Sequence, residues 1–275
     1  MNTPDSPTAS LRDAQLNVYN VAAMRRQPPD AFEVLRFDPN NDCNVQCVYC
    51  HNHRSPALVD RDDLVGFLRE NVTTLNAFQM GCVMEPTLDA RMCDLLLDVA
   101  ASPAKPRQRL VIQTNGILLH KHDAVKIRDA QVTDLSVSID SADPSITKSL
   151  RGGTSLSKVA RNLEQLLPRC PQLQAHFITT VTSLNAGGMA ELVRFGLQLG
   201  VSHFVMREVF YHPDNHVVDH ARMPTLVLAQ GEIDRVATEL QAAFAGKATF
   251  EFVGRRSLEH LERQMLTDSL RQARA

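Results

Sequence analysis

The sequence lacks any run of about 18 apolar residues, the length that a helix needs to cross a membrane. Residues 1–20 are polar and acidic, so they lack the basic start and apolar centre of a secretory signal. An excess of one charge is also missing, because 29 scattered Lys and Arg stand against 31 Asp and Glu. We therefore expect a cytoplasmic protein, and the charge pattern indicates neither a nucleic-acid partner nor a membrane surface.

Internal repeats and low-complexity segments are absent as well. The 275 residues, 44% of them hydrophobic, exclude a disordered chain and a collagen-like fibre. An α/β barrel commonly uses ~250 residues as one domain. We predict one folded core over residues 31–210. A loose, proline-containing leader over residues 1–30 precedes it, and a loop and helical extension over residues 211–275 follow it.

Short apolar runs, each about the length of a buried strand, alternate with stretches of helical periodicity. The predicted strands are Phe32–Phe37, Leu75–Met80, Leu110–Gln113, Leu135–Ile139, His176–Val181 and His203–Met206, with Thr249–Val253 as a candidate seventh. The predicted helices cover Leu88–Val99, Asn185–Gly200 with Asn185 as its cap, Ile233–Phe244, and a last helix carrying Leu258, Leu261, Met265 and Leu270. This alternation predicts a parallel sheet of βαβ units, either open and doubly wound or closed toward a barrel.

Three of the six cysteines, Cys43, Cys47 and Cys50, form a C-x3-C-x2-C triplet directly after the first predicted strand. Clustered thiols in a cytosolic chain indicate a metal centre rather than a disulfide framework. Three thiolates fit a 4Fe-4S cluster with one open iron position. Zinc is the alternative, with His51 or His53 completing a closed Cys3His site.

The remaining cysteines, Cys82, Cys93 and Cys170, are isolated in the sequence and have no ligand spacing. We predict that they are small core residues. Other polar residues follow the predicted strands, where the carboxyl ends of parallel strands collect an active site. These residues lie in segments 81–88, 114–116, 136–144 and 207–220.

The triplet, with Tyr49 directly before its last cysteine, resembles the hallmark of the radical SAM superfamily. The similarity extends over about residues 32–210. Segment 81–88, Gly-Cys-Val-Met-Glu-Pro-Thr-Leu, looks like the Gly-Gly-Glu-Pro segment after the second strand in that superfamily, with Val83 and Met84 where the two glycines usually stand. The serine-rich fourth strand and the Leu-Arg-Gly-Gly sequence at 150–153 are also similar to the superfamily's segments.

The resemblance implies an α/β fold, a partial (βα)6 TIM-like barrel with a short C-terminal strand and helix extension. It implies a 4Fe-4S cluster on Cys43, Cys47 and Cys50, whose open iron is chelated by S-adenosylmethionine. Reductive cleavage of that cofactor would give a 5′-deoxyadenosyl radical that abstracts hydrogen from a substrate. The electron would come from a donor such as flavodoxin or ferredoxin, and the protein would supply positioning.

The resemblance, together with side-chain chemistry, assigns cofactor-binding roles to five residues. Glu85 would accept hydrogen bonds from the cofactor's ammonium group, and Arg151 would bind its carboxylate. Ser138 would bond the ribose or the carboxylate, Tyr49 would lie against the adenine, and Asn115 would contact cofactor or substrate. The alternatives are a solvated loop acid for Glu85, a surface arginine for Arg151, a barrel-interior hydroxyl for Ser138, and a tight turn at Asn115.

A dense group of polar and aromatic residues follows the sixth predicted strand. Tyr211, His212 and His216 belong to it, and His212, His216 and His220 are spaced by four. On a helix that spacing would align three metal ligands, but Pro213 favours a loop. We predict that Tyr211, His212 and His216 contact substrate, with a second metal site or a polar connection as alternatives.

No cysteine follows Cys170, so we expect no auxiliary cluster of the cysteine-rich C-terminal type. Chemistry that needs a second electron acceptor is therefore disfavoured. We expect a redox-neutral reaction on a peptide or small metabolite, such as epimerisation, rearrangement, carbon–carbon bond formation or methyl transfer. The alternative from another class is a non-catalytic binding module that zinc stabilises through the same cysteines.

Overall fold

A computed structural model describes residues 31–253 except for residues 212, 214–216 and 230. The predicted leader over residues 1–30 and the last predicted helix, with Leu258 to Leu270, lie outside the described residues. Within the described part, no helix combines the length and apolar composition of a membrane span.

Seven parallel strands form a single sheet in the described chain, and their order across the sheet is their order in the sequence. They are β1 (Ala31–Phe37), β2 (Thr74–Met80), β3 (Arg109–Thr114), β4 (Asp134–Ser138), β5 (Gln174–Val181), β6 (His203–Glu208) and β7 (Thr249–Val253). Every neighbouring pair is parallel, including β6 with β7. The sheet curls into a half-barrel, which confirms the predicted partial barrel and its additional C-terminal strand.

Helices between the strands cover the convex face of the sheet. They are α1 (Arg61–Asn71), α2 (Met92–Ala101), α3 (Ala124–Asp129), α4 (Pro144–Arg151), α5 (Leu156–Leu166), α6 (Met189–Gln198), α7 (Met223–Leu226) and α8 (Glu232–Ala243). Strand residues such as Phe78 and Phe177 pack with helix residues such as Leu96 in one buried apolar cluster. Alternation along each strand then directs the intervening side chains to the concave face.

Local sequence explains several helix starts. The side chain of Asp143 accepts hydrogen bonds from the backbone N–H groups of Ser145 (2.7 Å) and Ile146 (3.3 Å), and Pro144 is the first residue of α4. An aspartate cap followed by proline is a favourable start, because proline fixes φ and lacks the N–H that a first turn leaves unpaired. This start places Arg151 in the last turn of α4, beside the carboxyl end of the sheet.

Two predicted helix starts are wrong. The helix expected from Leu88 begins at Met92, and Leu88 ends a separate 3-10 turn. The α-helix expected from Asn185 begins at Met189, after a 3-10 turn (Ala186–Gly188) that Asn185 directly precedes, and the Asn185 side chain makes no capping hydrogen bond because it has other partners. Its Oδ1 accepts from the backbone N–H of Thr182 (2.7 Å), and its Nδ2 donates to the carbonyl of Asp140 (2.7 Å). Asn185 therefore connects the loops after β4 and β5 instead of capping a helix.

A polar cluster lies at the amino-terminal end of the concave face, away from the loops at the carboxyl ends of the strands. Asp134 accepts hydrogen bonds from Arg109 (2.9 and 3.0 Å), His176 Nε2 (2.7 Å) and Thr133 Oγ1 (2.7 Å). Burial raises the pKa of Asp134, but the hydrogen bonds from His176, Arg109 and Thr133 outweigh it and hold that pKa well below its usual range. This cluster stabilises the end of the barrel opposite the cysteine triplet.

Candidate functional site

A buried carboxylate fixes the entrance of the cysteine loop. Asp38 directly follows β1 and is fully buried. It accepts hydrogen bonds from the backbone N–H groups of Cys82 (2.8 Å), Val83 (3.1 Å) and Met84 (3.1 Å). Burial raises the pKa of Asp38, and these three donors oppose the rise. Asp38 therefore connects the loops after β1 and β2, a role for which the sequence gives no signal beyond an acid at a strand end.

The loop that carries the triplet is held by side chains bonded to its backbone. Arg54 donates to the carbonyl oxygens of Cys43 (2.8 Å) and Val45. Asn40 donates from Nδ2 to the carbonyl of Glu85 (2.9 Å), which links this loop to the segment after β2. The conformation of the cysteine loop is therefore set by protein hydrogen bonds.

The three thiols of the triplet are half-buried, and each sulfur has a nitrogen donor near it. The contacts are Cys43 Sγ to Asn115 Nδ2 (4.0 Å), Cys47 Sγ to Arg151 Nη1 (3.8 Å) and Cys50 Sγ to Asn52 Nδ2 (3.9 Å). Cys47 and Cys50 line a cavity of about 520 Å³. Donors near sulfur stabilise thiolates, which are the form in which cysteine binds metals.

The donor set fits an iron–sulfur cluster, because it consists of three soft sulfur ligands on one short loop. Within the described residues, no three Cys, His, Asp or Glu side chains converge on a single metal ion. His51 is exposed, and its Nδ1 lies 3.1 Å from the carbonyl oxygen of Tyr49. Burial raises the pKa of the Cys47 thiol to about 11, although the charge of Arg151 opposes this.

Tyr49 and Arg151, predicted separately, meet at one carboxylate. Arg151 donates to Asp140 from Nε (2.8 Å) and Nη2 (3.2 Å), and the Tyr49 hydroxyl donates to the same carboxylate. The backbone N–H of Thr180 adds a further bond (2.8 Å). The Arg151 guanidinium lies 5.8 Å from the centre of the Tyr49 ring. Arg151 is buried, so it is not a surface arginine, and Asp140 is a site residue that sequence reasoning did not single out.

Glu85 is a buried carboxylate bonded by protein donors, not a solvated loop acid. Its Oε1 accepts from Thr87 N (3.1 Å), Thr87 Oγ1 (2.5 Å) and Thr114 Oγ1 (2.5 Å), and its Oε2 accepts from Asn115 N (2.7 Å). Burial raises the pKa of Glu85, while these hydrogen bonds oppose the rise. Glu85 joins the carboxyl ends of β2 and β3, and its contact with a cofactor stays a prediction.

Asn115 directly follows β3, and Ser138 is the last residue of the neighbouring strand β4. Asn115 forms a turn, because its Oδ1 accepts from the N–H of Ile117 (3.0 Å), and its Nδ2 donates to Asn44 Oδ1 (2.7 Å) in the cysteine loop. Ser138 is half-buried, and no described residue hydrogen-bonds its hydroxyl. The structure thus joins Asn115 to the cysteine loop, and the contact of Ser138 with a cofactor stays a prediction.

Of the three predicted substrate residues, the structure describes Tyr211, while His212 and His216 lie outside the described residues. The Tyr211 hydroxyl lies 3.0 Å from Nδ1 of His220. Tyr211 and Tyr49 pack against the same small apolar cluster, which includes Leu150 and Met223. The segment after β6 therefore lies next to the cysteine loop, at the rim where substrate loops gather in barrels.

The cysteines outside the triplet differ from one another. Cys93 and Cys170 are buried in the apolar core, as predicted. The prediction for Cys82 is wrong, because this residue is half-buried in the loop after β2, where its N–H bonds to Asp38. Burial raises the pKa of the Cys82 thiol to about 11. Cys82 is therefore part of the site region but not of the core.

Comparison with known sequences identifies one family. The radical SAM superfamily matches residues 38–196. A protein of Methanocaldococcus jannaschii named "Probable GTP 3′,8-cyclase" is 24% identical over 171 residues, which cover 60% of this chain and 55% of that protein. The GTP 3′,8-cyclase of Synechococcus elongatus is 28% identical over 194 residues, covering 67% of this chain and 57% of that protein. The chain thus spans little more than half the length of these curated relatives.

Solved structures share the fold. Streptococcus suis SuiB bound to S-adenosylmethionine has a TM-score of 0.62 at 16% identity, covering 92% of this chain and 56% of that chain. TYW1 with a lysine-pyruvate adduct bound has a TM-score of 0.56 at 14% identity, covering 87% of this chain and 90% of that chain. At these identities the likeness establishes the fold of the half-barrel.

Proposed function

The chain belongs to the radical SAM superfamily, and from that premise we propose that Cys43, Cys47 and Cys50 hold a 4Fe-4S cluster at which S-adenosylmethionine is cleaved. One observation carries the proposal. Three half-buried thiols lie on one loop at the carboxyl edge of the sheet, and each sulfur is within 4.0 Å of a nitrogen donor. Two proteins with the same fold have been solved with this cofactor bound, SuiB and anSMEcpe.

A cluster held by Cys43, Cys47 and Cys50 would supply the electron for reductive cleavage of S-adenosylmethionine and so the radical chemistry on the substrate. The chain's own residues orient the reactants and exclude water. Arg151 donates toward Cys47 Sγ while Asp140 fixes its position, so a guanidinium nitrogen is held beside that sulfur. Asn115 donates toward Cys43 Sγ and anchors the start of the loop.

Two carboxyl-end residues are suited to bind the cofactor itself. The Ser138 hydroxyl has no hydrogen-bond partner among the described residues and can donate to a carboxylate or ribose oxygen. Glu85 Oε2 accepts a single protein hydrogen bond, so it retains capacity to accept from an ammonium group. We propose that the ring of Tyr49, whose hydroxyl donates to Asp140, lies against the adenine.

We infer that the substrate is a peptide or small metabolite that undergoes a redox-neutral change, with flavodoxin or ferredoxin as electron donor. Similar proteins support both substrate classes, since the curated relatives are named for GTP and one SuiB structure holds the precursor peptide SuiA. Tyr211 lies near Tyr49 at the rim, which supports a substrate-contacting role for it and for the neighbouring His212 and His216.

The cluster assignment is tested by alanine variants of the triplet. Cys43→Ala, Cys47→Ala and Cys50→Ala each remove one iron ligand, so we expect loss of cluster absorbance and of 5′-deoxyadenosine formation in anaerobic, reconstituted protein. Cys82→Ala is the matched control, because it removes a half-buried thiol of the same region outside the triplet. Its iron content and cofactor cleavage should match those of the wild type.

Two results would reject the proposal. Undiminished 5′-deoxyadenosine in any triplet variant would show that its cysteine is not an iron ligand. Colourless wild-type protein carrying one zinc, lost on replacement of the same cysteines, would support the zinc-stabilised binding module instead. Metal analysis and the product assay on the same preparations distinguish these results.

A further inference from the structure

The concave face of the half-barrel encloses a polar cavity of about 260 Å³. Two arginines line it at the carboxyl side, Arg36 from β1 and Arg207 from β6. Arg36 lies two residues before Asp38, and Arg207 pairs in register with Thr180, whose N–H bonds to Asp140. Both arginines therefore sit next to the residues that fix the candidate cofactor site.

Neither arginine forms an ion pair with a described acidic side chain. Within the described part of the chain, no ion pair or hydrogen bond involves the side chain of Arg36 or Arg207. The third arginine of the cavity, Arg109, is instead neutralised by Asp134 at 2.9 Å. The cavity thus holds two cations near its carboxyl end that form no ion pair with a described residue, although the charge of Glu251 acts on Arg207.

The other ionisable groups that face the cavity lie deeper. Glu251 on β7 pairs in register with Val205, which lies two residues before Arg207 on β6. Glu251 is therefore farther from the cysteine loop than Arg207 is. His176 and His203 line the same cavity toward its amino-terminal end. Asp38 is close in sequence to Arg36, but three backbone N–H groups occupy its carboxylate. None of these acids is positioned to neutralise both guanidinium groups.

The two arginines affect each other across the concave cavity, which both of them line. Burial among the walls of the cavity lowers the pKa of Arg207, Glu251 raises it, and the charge of Arg36 lowers it further. Like charges facing one low-dielectric space repel, and a bound anion would relieve that repulsion. Guanidinium groups also match the geometry of carboxylate and phosphate oxygens.

Neutral amides line the space between the two cations. Gln79 Nε2 donates to Gln113 Oε1 (3.0 Å), and Gln113 Nε2 donates to the carbonyl of Cys82 (3.3 Å). These amides are held by each other and by the loop after β2, so they add polarity without charge. The volume is smaller than the ~300–1,000 Å³ of pockets that enclose a whole small ligand, and it suits one functional group.

We propose that Arg36 and Arg207 bind an anionic group of the substrate, a phosphate or a carboxylate, and hold it in the concave cavity beside the candidate cofactor site. This inference rests on the proposed function, since it treats the cavity as the substrate side of that site. It narrows the substrate class to molecules that carry such a group. Arg36 and Arg207 are then substrate-binding residues.

Titration calorimetry on the anaerobic, cluster-loaded full chain tests the inference, with pyrophosphate and citrate as separate probes. We expect at least one probe to bind, with a dissociation constant that rises with salt. Arg36→Gln and Arg207→Gln should each weaken binding roughly tenfold or more. Arg207→Lys keeps the charge and should recover part of the affinity. Arg235→Gln removes an exposed arginine of α8 and should bind like the wild type.

The two probes distinguish the sources of the anion. Binding of pyrophosphate alone supports a phosphorylated substrate, binding of citrate alone supports a carboxylate, and binding of both supports an anion site open to either. Absence of binding by the wild type, or equal affinities in all the variants, overturns the inference. Circular dichroism melting of each variant confirms folding.

Failure of this inference and failure of the proposed function give different results. Iron content and 5′-deoxyadenosine formation report on the triplet and do not require the arginines. Anion binding that depends on Arg36 and Arg207, in a protein that takes up no iron, keeps the anion site and rejects the cluster. A normal cluster and normal cofactor cleavage without anion binding would keep the proposed function and reject the anion site.

Discussion

Arg151 and Asp140 form a buried ion pair at the carboxyl edge of the sheet. Two nitrogens of the guanidinium donate to the two carboxylate oxygens, at 2.8 and 3.2 Å. The third nitrogen lies 3.8 Å from Cys47 Sγ. A buried ion pair therefore connects the segment after β4 to the cysteine loop.

Removal of one partner of this pair should be costly. Arg151→Met leaves Asp140 as an uncompensated buried charge, so we expect a loss of about 3–5 kcal/mol in the free energy of unfolding, measured by urea denaturation. Arg235→Met is the matched control, because its pair with Glu239 is exposed, and it should cost less than about 1 kcal/mol. Equal losses in the two variants would contradict a special role for the buried pair.

Glu85→Gln should lower both stability and cofactor affinity. The amide cannot accept from all the donors around Glu85, which costs about 1.5–3 kcal/mol, and it lacks the charge that would face an ammonium group. S-adenosylmethionine affinity, measured by equilibrium binding, should fall roughly tenfold or more while iron content stays normal.

Thr114→Val separates these two effects, because it removes one donor to Glu85 and leaves the carboxylate charged. It should destabilise the protein by about 1 kcal/mol without changing cofactor affinity. Unchanged affinity in Glu85→Gln would remove Glu85 from the cofactor site and leave it as a connection between β2 and β3.

Gly81→Ala should disrupt the loop after β2. Gly81 has φ +82°, and an added Cβ would lie 2.1 Å from the carbonyl oxygen of Gln113 and 2.8 Å from Pro86 Cγ. Strain and overpacking together should cost about 2–5 kcal/mol in urea denaturation. Gly187→Ala is the control, since no atom lies within 4 Å of its Cβ position, and it should stay within about 0.5 kcal/mol. Similar stabilities for both variants would show that the loop adapts without cost.

The Asp134 cluster should make stability depend on pH in the acid range. The pKa of Asp134 is lowered in the native state, so the ionised carboxylate favours folding. That stabilisation is fully present above the ordinary aspartate pKa, near 3.8, and is lost as the pH falls through the lower native pKa. The difference in unfolding free energy between wild type and Asp134→Asn should therefore be constant from about pH 5 to 7 and shrink below about pH 4.

Asp129→Asn serves as the control for this pH series, because Asp129 is exposed and pairs with the adjacent Arg128. It should stay within about 0.5 kcal/mol of the wild type. A wild-type advantage over Asp134→Asn that persists undiminished to pH 2.5 would show that hydrogen bonding without ionisation accounts for the role of Asp134.

The strands could be predicted closely because their signal is local. Leu75–Met80 is predicted where Thr74–Met80 is observed, since its buried residues Leu75, Phe78 and Met80 are apolar and lie within one short segment. The helix start at Asn185 could not be predicted this way. A cap residue is recognised from adjacent positions, but Asn185 bonds to the carbonyl of Asp140, 45 residues away.

The site divides in the same manner. The spacing of Cys43, Cys47 and Cys50 predicts a metal centre with thiolate ligands. This prediction needs only one loop, because the three ligands are close together in the sequence. Their sulfur contacts with Asn115 and Arg151 span 72 and 104 residues. Asp38 and Asp140 were not singled out, because an acid at a strand end becomes a connector only when a second loop places donors around it.

The sequence by itself determined the βαβ alternation, the thiol triplet and the strand-end position of the polar residues, because each depends on the chemistry and periodicity of adjacent residues. Only the tertiary structure decided that Glu85 is enclosed by donors, that Arg151 pairs with Asp140, and that Arg36 and Arg207 line one cavity. Those relationships depend on the curl of the sheet, which brings the ends of distant strands together in a space where unpaired charge is costly.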